Sequence, residues 1–166
     1  MTNTRFKHKH RMRVRWKECD AQGIAFYGSY LDFIDVSETE YFRNLDILLH
    51  DEKQREEFDL VVVKLNLEYK SPARIDDVID VYLSTTKMGD NSVSQKCQIY
   101  HTRTQALILN GDIISVNFDQ ETGKSRPIPD RIRNIIKRFE DMQSSTRRNS
   151  LACQSIHKRS KNDNRP

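Results

Sequence analysis

Glu18-Cys19-Asp20-Ala21-Gln22-Gly23-Ile24-Ala25-Phe26-Tyr27-Gly28-Ser29-Tyr30 is the stretch on which the reading of this chain turns. Upstream, from Phe6 to Trp16, residues alternate strictly. Phe6, His8, His10, Met12, Val14 and Trp16 share one parity, and Lys7, Lys9, Arg11, Arg13 and Arg15 the other. Period two predicts a strand with one face toward a core and one cationic face in solvent. Downstream, Leu31, Ile34, Tyr41, Phe42 and Leu45 recur at helical spacing, which predicts an amphipathic helix of about four turns with Ser29 as its N-cap. Asp20 therefore sits on a strand-to-helix connection beside Gly23 and Gly28. A carboxylate there can act as base or nucleophile, because glycines let backbone come close to a ligand. Considered alone, Asp20 better suits an ordinary turn or cap aspartate.

The remaining totals bound the answer. A chain of 166 residues fits one domain with a core of its own, and 36% apolar against 31% charged residues is polar for it. Residues 1–15 carry six Lys/Arg and no acid, and residues 144–166 carry six against one acid. Removing the +6 and +5 of these ends from the net +4 leaves about −7 for the body, so the basic pI describes the ends. No apolar run reaches the ~18 residues of a membrane span, and no secretory h-region follows Met1. Three widely spaced cysteines (Cys19, Cys97, Cys153) fit neither a disulfide framework nor a zinc site, so a cytoplasmic setting with no metal is expected.

Beyond the helix, residues 46–58 read as a surface loop or short helix. Strands are expected over 59–69, 78–86, 93–101 and 106–118, divided by Ser71-Pro72-Ala73-Arg74, Gly89-Asp90-Asn91 and Thr102–Gln105. Pro127 and Pro129 introduce a last helix with Ile132, Ile135, Ile136 and Phe139 on one face. A domain over residues 1–143 and a basic, disordered tail over 144–166 follow from the loss of apolar residues after Met142. Strand, long helix, then consecutive antiparallel strands is an α+β order.

Residues 19–30 resemble the D-x-x-G-I-x-[FWY]-[YH]-x-x-Y pattern of hot-dog-fold acyl-CoA thioesterases of the 4-hydroxybenzoyl-CoA thioesterase and YbgC-like group. Tyr69-Lys70-Ser71-Pro72-Ala73-Arg74-Ile75-Asp76-Asp77 resembles that group's Y-x-x-P-A-R-x-D-D segment, and Val116 to Pro129 its closing turn. The resemblance implies a long central helix wrapped by a curved antiparallel sheet of about five to six strands. It implies hydrolysis of an acyl-CoA, or of an acyl-carrier-protein thioester, without a cofactor. A homodimer or homotetramer is implied as well.

Carried over by position, Asp20 is the catalytic carboxylate, and the start of the helix is the oxyanion site, where orphan N–H groups and the helix dipole meet developing charge. Tyr27 stands where YbgC-like relatives carry histidine and would line the acyl pocket. Gly28, Asn66 and Lys87 complete the expected substrate-binding set, Lys87 as a point charge for coenzyme A phosphates. Glu38 departs from the arginine that many relatives have. A non-catalytic acyl-thioester-binding module is the alternative, and nucleic-acid binding is disfavoured by the acidic body.

Overall fold

The alternating basic run does form a strand, β1 (His8–Arg13), shorter than its pattern because Val14 leaves the ladder and Trp16–Glu18 close a single 3-10 turn. The structure, a computed structural model, describes residues 6–141. After the Asp20 loop comes α1 (Ser29–Arg43), then a one-turn α2 (Glu52–Arg55) and β2 (Leu60–Tyr69). β3 (Val78–Met88), β4 (Ser92–His101) and β5 (Leu107–Asp119) follow as a meander. β6 (Lys124–Ser125) and α3 (Asp130–Phe139) close the described chain. The expected tail lies outside the described residues.

The sheet is antiparallel throughout, in the order β1-β3-β4-β5-β2, with β6 on the end of β5. Register decides which side chains meet the helix. His8 pairs with Leu83, Thr85 with Gln95, Gln95 with Ile113, and Leu65 with Ile113. The odd-numbered residues of β3, β4 and β5 thus share the inner face, where Ile79, Val81, Leu83, Val93, Cys97, Ile99, Leu109 and Ile113 are buried. The outer face carries Lys9, Arg11, Tyr82, Tyr100, Gln98 and Asn110. There Arg11 grips the buried Asp80 through two bonds of 2.7 and 3.2 Å. Burial opposes ionisation of Asp80, but the bonds from Arg11 and the charges of Lys9 and Arg11 outweigh it and hold the pKa below the usual value.

Helix α1 buries Tyr30, Phe33, Ile34, Ser37, Tyr41 and Phe42, and each large apolar side chain taken from water contributes about 1.5–3 kcal/mol. It packs on β1 and β3, and Tyr30 at its start stacks on Tyr69 of β2. Asp46, in the left-handed region at φ 57°, turns the chain out of the helix while Leu45 and Ile47 amides donate to the Phe42 carbonyl. Ser29 is not the N-cap. Gly28 takes that place, and the Ser29 hydroxyl instead donates to the Glu18 carbonyl at 2.9 Å. α3 is held by its C-terminal carboxylate. Glu140 accepts from the Tyr41 hydroxyl (2.8 Å), the Thr85 amide (2.7 Å) and the Ser84 hydroxyl (3.0 Å).

Among the described residues the sheet has two open edges, β1 and β2. β2 is an edge, and along it Val61, Val62, Val63 and Leu65 are 42, 52, 57 and 39% exposed. A bulge between Val62 and Lys64 shifts the parity, so that Val62, Leu65, Leu67 and Tyr69 share the inner face.

Candidate active site

The Asp20 loop is a small irregular hairpin closed by backbone bonds. Asp20 N–H donates to the Ile24 carbonyl at 2.9 Å, and Gly23 N–H to the Asp20 carbonyl at 3.0 Å. Gly23 permits this at φ 73°, where an L side chain would be strained. The helix start is then drawn back beside the acid. Phe26 N–H donates to the Glu18 carbonyl at 2.8 Å, next to the Ser29 bond onto the same oxygen. Glu18, buried and two residues before Asp20, anchors the turn through Arg15, whose amide and Nε both donate to its carboxylate at 2.7 Å.

The Pro72-Ala73-Arg74 segment is the other wall. Ala25 N–H donates to the Ala73 carbonyl at 2.8 Å, and Ala73 N–H donates to the Tyr30 hydroxyl at 3.1 Å. Ala73 is fully buried, so only a small residue fits between loop and helix. Asp76, at φ 65°, and Asp77 tie the segment to the end of β1, with Asp76 N–H to the Val14 carbonyl and Val14 N–H to that of Asp77.

Helix N-termini leave amides without intrahelical partners. Here Ser29 N–H is taken by the Phe26 carbonyl and Leu31 N–H by that of Gly28. Among the described residues, the Tyr27 and Gly28 amides take no backbone acceptor. Two unclaimed amides thus stand at the positive end of α1, in the same loop that carries Asp20. A Cβ on Gly28 would lie 2.8 Å from the Phe26 ring, so any side chain there has to displace that ring. Asp20 is exposed, and its Oδ1 accepts from the Gln22 N–H at 2.8 Å. Cys19 beside it is no rival nucleophile: desolvation first, then the Asp20 and Glu18 carboxylates, push its thiol pKa up.

Tyr27 is 69% exposed, with its ring 4.1 Å from that of Phe26, and its carbonyl accepts from the Tyr69 hydroxyl at 2.9 Å. Tyr69 in turn stacks edge-on against Tyr30. Asp20, Tyr27 and Gly28 therefore share one irregular hairpin, closed by the Asp20–Ile24 and Glu18–Phe26 backbone bonds. Asn66 lies apart: it pairs with Asp112 on the outer face of edge strand β2. So does Lys87, which pairs with Ser94 at the far end of β3, roughly 30 Å along the strand from Val78 at the strand rise. The residue that sequence reasoning undervalued is Glu38. Its Oε1 is buried without a hydrogen-bond partner, and burial first, then Asp35, push its pKa up to about 7. Among the described residues no group of His, Cys, Asp or Glu is arranged to hold a metal ion, and no helix is long and apolar enough to cross a membrane.

A curled antiparallel sheet of five to six strands around one long helix is the hot-dog arrangement of thioester hydrolases. Residues 14–136 match the Thioesterase-like superfamily, and the chain belongs to it. The Acyl-CoA thioester hydrolase YbgC of Escherichia coli O6:H1 is 28% identical over 133 residues, spanning 78% of this chain and 92% of that protein. A putative esterase of Aquifex aeolicus is 32% identical over 117 residues, spanning 64% and 89%. Among solved structures, a Thermus thermophilus thioesterase complexed with coenzyme A and Zn superposes with a TM-score of 0.72. It is 21% identical and spans 84% of this chain and 98% of its own. Slr0204 of Synechocystis, a 1,4-dihydroxy-2-naphthoyl-CoA thioesterase, gives 0.72 at 16% identity, spanning 78% and 94%. The resemblance drawn from residues 19–30 and 69–77 and the α+β hot-dog fold expected from it are both borne out.

Proposed function

We propose that the chain hydrolyses an acyl-CoA, or an acyl-carrier-protein thioester, to a carboxylate and a free thiol. One observation carries the reading: a single loop presents the Asp20 carboxylate together with the unclaimed amides of Tyr27 and Gly28 at the start of α1. As the thioester carbonyl is attacked its oxygen gains negative charge, and two N–H donors and a helix N-terminus stabilise that charge. Asp20 attacks the carbonyl carbon itself, giving a mixed anhydride that water then hydrolyses to the carboxylate, or takes the proton of a water that attacks directly; in both routes the thiolate leaves and is protonated. The Gln22 bond leaves its other oxygen available. Gly28 lets the thioester reach the amides, and Tyr27 lines the acyl side.

The reading includes a homodimer. β2 offers an unpaired edge flanked by exposed Val61, Val62, Val63 and Leu65, and antiparallel pairing of two such edges covers both. Asn66 then lies at the pairing edge, and Lys87, remote from Asp20 in its own chain, serves coenzyme A phosphates at a neighbouring site. The setting proposed is the cytoplasm.

The Asx-type bond from Gln22 favours a second reading, in which Asp20 only shapes the turn and the chain binds acyl-thioesters without cleaving them. A thiol-release assay over aromatic and short- to long-chain acyl-CoAs separates the two. Turnover well above background supports hydrolysis. Saturable binding of the same esters with no thiol released supports the binding module.

A further inference from the structure

Helix α1 lies on β1 and β3, and Glu38, on one helical stripe with Leu31 and Asp35, faces Gln95 of β4. Beyond β4 and β5 in the sheet, the inner face of β2 forms an apolar shelf. Tyr69 lies at the helix start, stacked on Tyr30, and Leu67, Leu65 and Val62 step away from it toward the third turn of the helix. One strand further in, the same rows become polar. The row of Leu65 runs through Ile113 to Gln95, and Val62 pairs directly with Ser115.

Gln95 and Ser115 are 2% and 0% exposed, yet both atoms of the Gln95 amide and the Ser115 hydroxyl lack a hydrogen-bond partner. The Glu38 carboxyl comes down beside Gln95 from the helix, its Oε1 likewise unpartnered, and Ser115 lies one row further along the sheet, opposite Val93. The Gln95 side chain is near enough to favour the ionised acid slightly, but neither end of the amide closes a bond of good geometry. A buried polar atom left unpaired costs about 1–3 kcal/mol, and three residues from three elements leave such atoms on or beside neighbouring rows of the sheet. Asp35 on α1 and Cys97 on β4 are the other titratable groups beside Glu38, and both resist its ionisation or are kept neutral by it.

We propose that Glu38, Gln95 and Ser115 form the far wall of the acyl site and read a hydrogen-bonding group, a hydroxyl or carbonyl, at the end of a medium-length acyl chain. This rests on the hydrolase reading above. From the Gly28 amide at the helix start to Glu38 is about 15 Å at the helical rise, a span that a one-ring aromatic acyl group cannot cover. The apolar shelf of β2 receives the methylenes, and the polar wall receives the tip. A plain alkyl end would leave the wall unpaired.

The test uses the full chain with decanoyl-CoA and ω-hydroxydecanoyl-CoA as thioesters, and decanoate and ω-hydroxydecanoate as binding probes. The expected result is a preference for the hydroxylated ester in kcat/KM of about tenfold or more. Glu38→Leu and Gln95→Leu bring the ratio near one, and Glu38→Gln, which keeps the hydrogen bonding, retains most of it. A ratio near one in the unaltered protein, or a ratio that Glu38→Leu leaves unchanged at unchanged Tm, overturns the inference. Calorimetric binding of the two acids separates its failure from that of the hydrolase reading. Tighter binding of ω-hydroxydecanoate with no thioester cleaved sustains the wall and removes the hydrolase. Equal binding overturns the wall even if thioesters are cleaved.

Discussion

Two carboxyl groups on this chain are pulled in opposite directions. Asp20 is in solvent reach at the helix N-terminus, while Glu38 is pushed under the helix with no cation beside it among the described residues. Glu38 holds its proton in the folded chain up to a pH of about 7, against 4.5 for an unperturbed carboxyl. Its contribution to stability is therefore fully present below about pH 4.5 and lost as pH rises through about 7. His8 acts in the other sense. Burial first and His10 second lower its pKa, so protonation opposes folding as pH falls below 6.5. Thermal melts across this range should show Glu38→Gln flattening the loss of Tm on the alkaline side and leaving the acid side unchanged. At residue scale, Asp20, Tyr27 and Gly28 were legible because they share one continuous loop. The parity of Asn66 relative to Leu65 and Leu67 already set it on the opposite face. Glu38, Gln95 and Ser115 were not legible as a group, since only helix placement and strand register bring three distant stretches together.

Elements explain why the loop holds its shape. The start of α1 is fixed by three anchors, the Glu18 carbonyl, the Ala73 backbone and the Tyr69 hydroxyl, and none of these depends on α1 itself. Gly28→Val puts branched carbon where even a Cβ meets the Phe26 ring at 2.8 Å. Steady-state kinetics should show kcat falling by an order of magnitude or more with the circular-dichroism spectrum unchanged. At the other end of the helix, Glu140→Ala removes the acceptor for Tyr41, Thr85 and Ser84 together. Denaturant melts should show a loss of about 2–3 kcal/mol, since it strands a buried amide and hydroxyl. Alternation and helical spacing revealed β1, α1, β3, β4, β5 and α3 within a few residues. The N-cap was misplaced because Ser29 spends its hydroxyl on Glu18, a contact made by the fold of the loop and not by the helix. The bulge in β2 was likewise invisible, because Val61-Val62-Val63 reads as strand in either register.

For the whole molecule, one chain buries its core yet leaves β2 open and Lys87 far from Asp20. Both features follow if two copies join at β2. Val63→Lys should weaken the dimer by at least tenfold in sedimentation equilibrium and lower thiol release in step, as the open edge gains a charge. Lys87 could not have been set apart from Asp20 by sequence, since its distance is a matter of which end of β3 it occupies. The central claim is that Asp20 does chemistry and not merely a turn. The most direct measurement is thiol release by Asp20→Asn on the best acyl-CoA, with binding of that ester followed by calorimetry. The expected result is a fall in kcat of about 10²–10⁴ with affinity little changed. Turnover equal to the unaltered chain would contradict it.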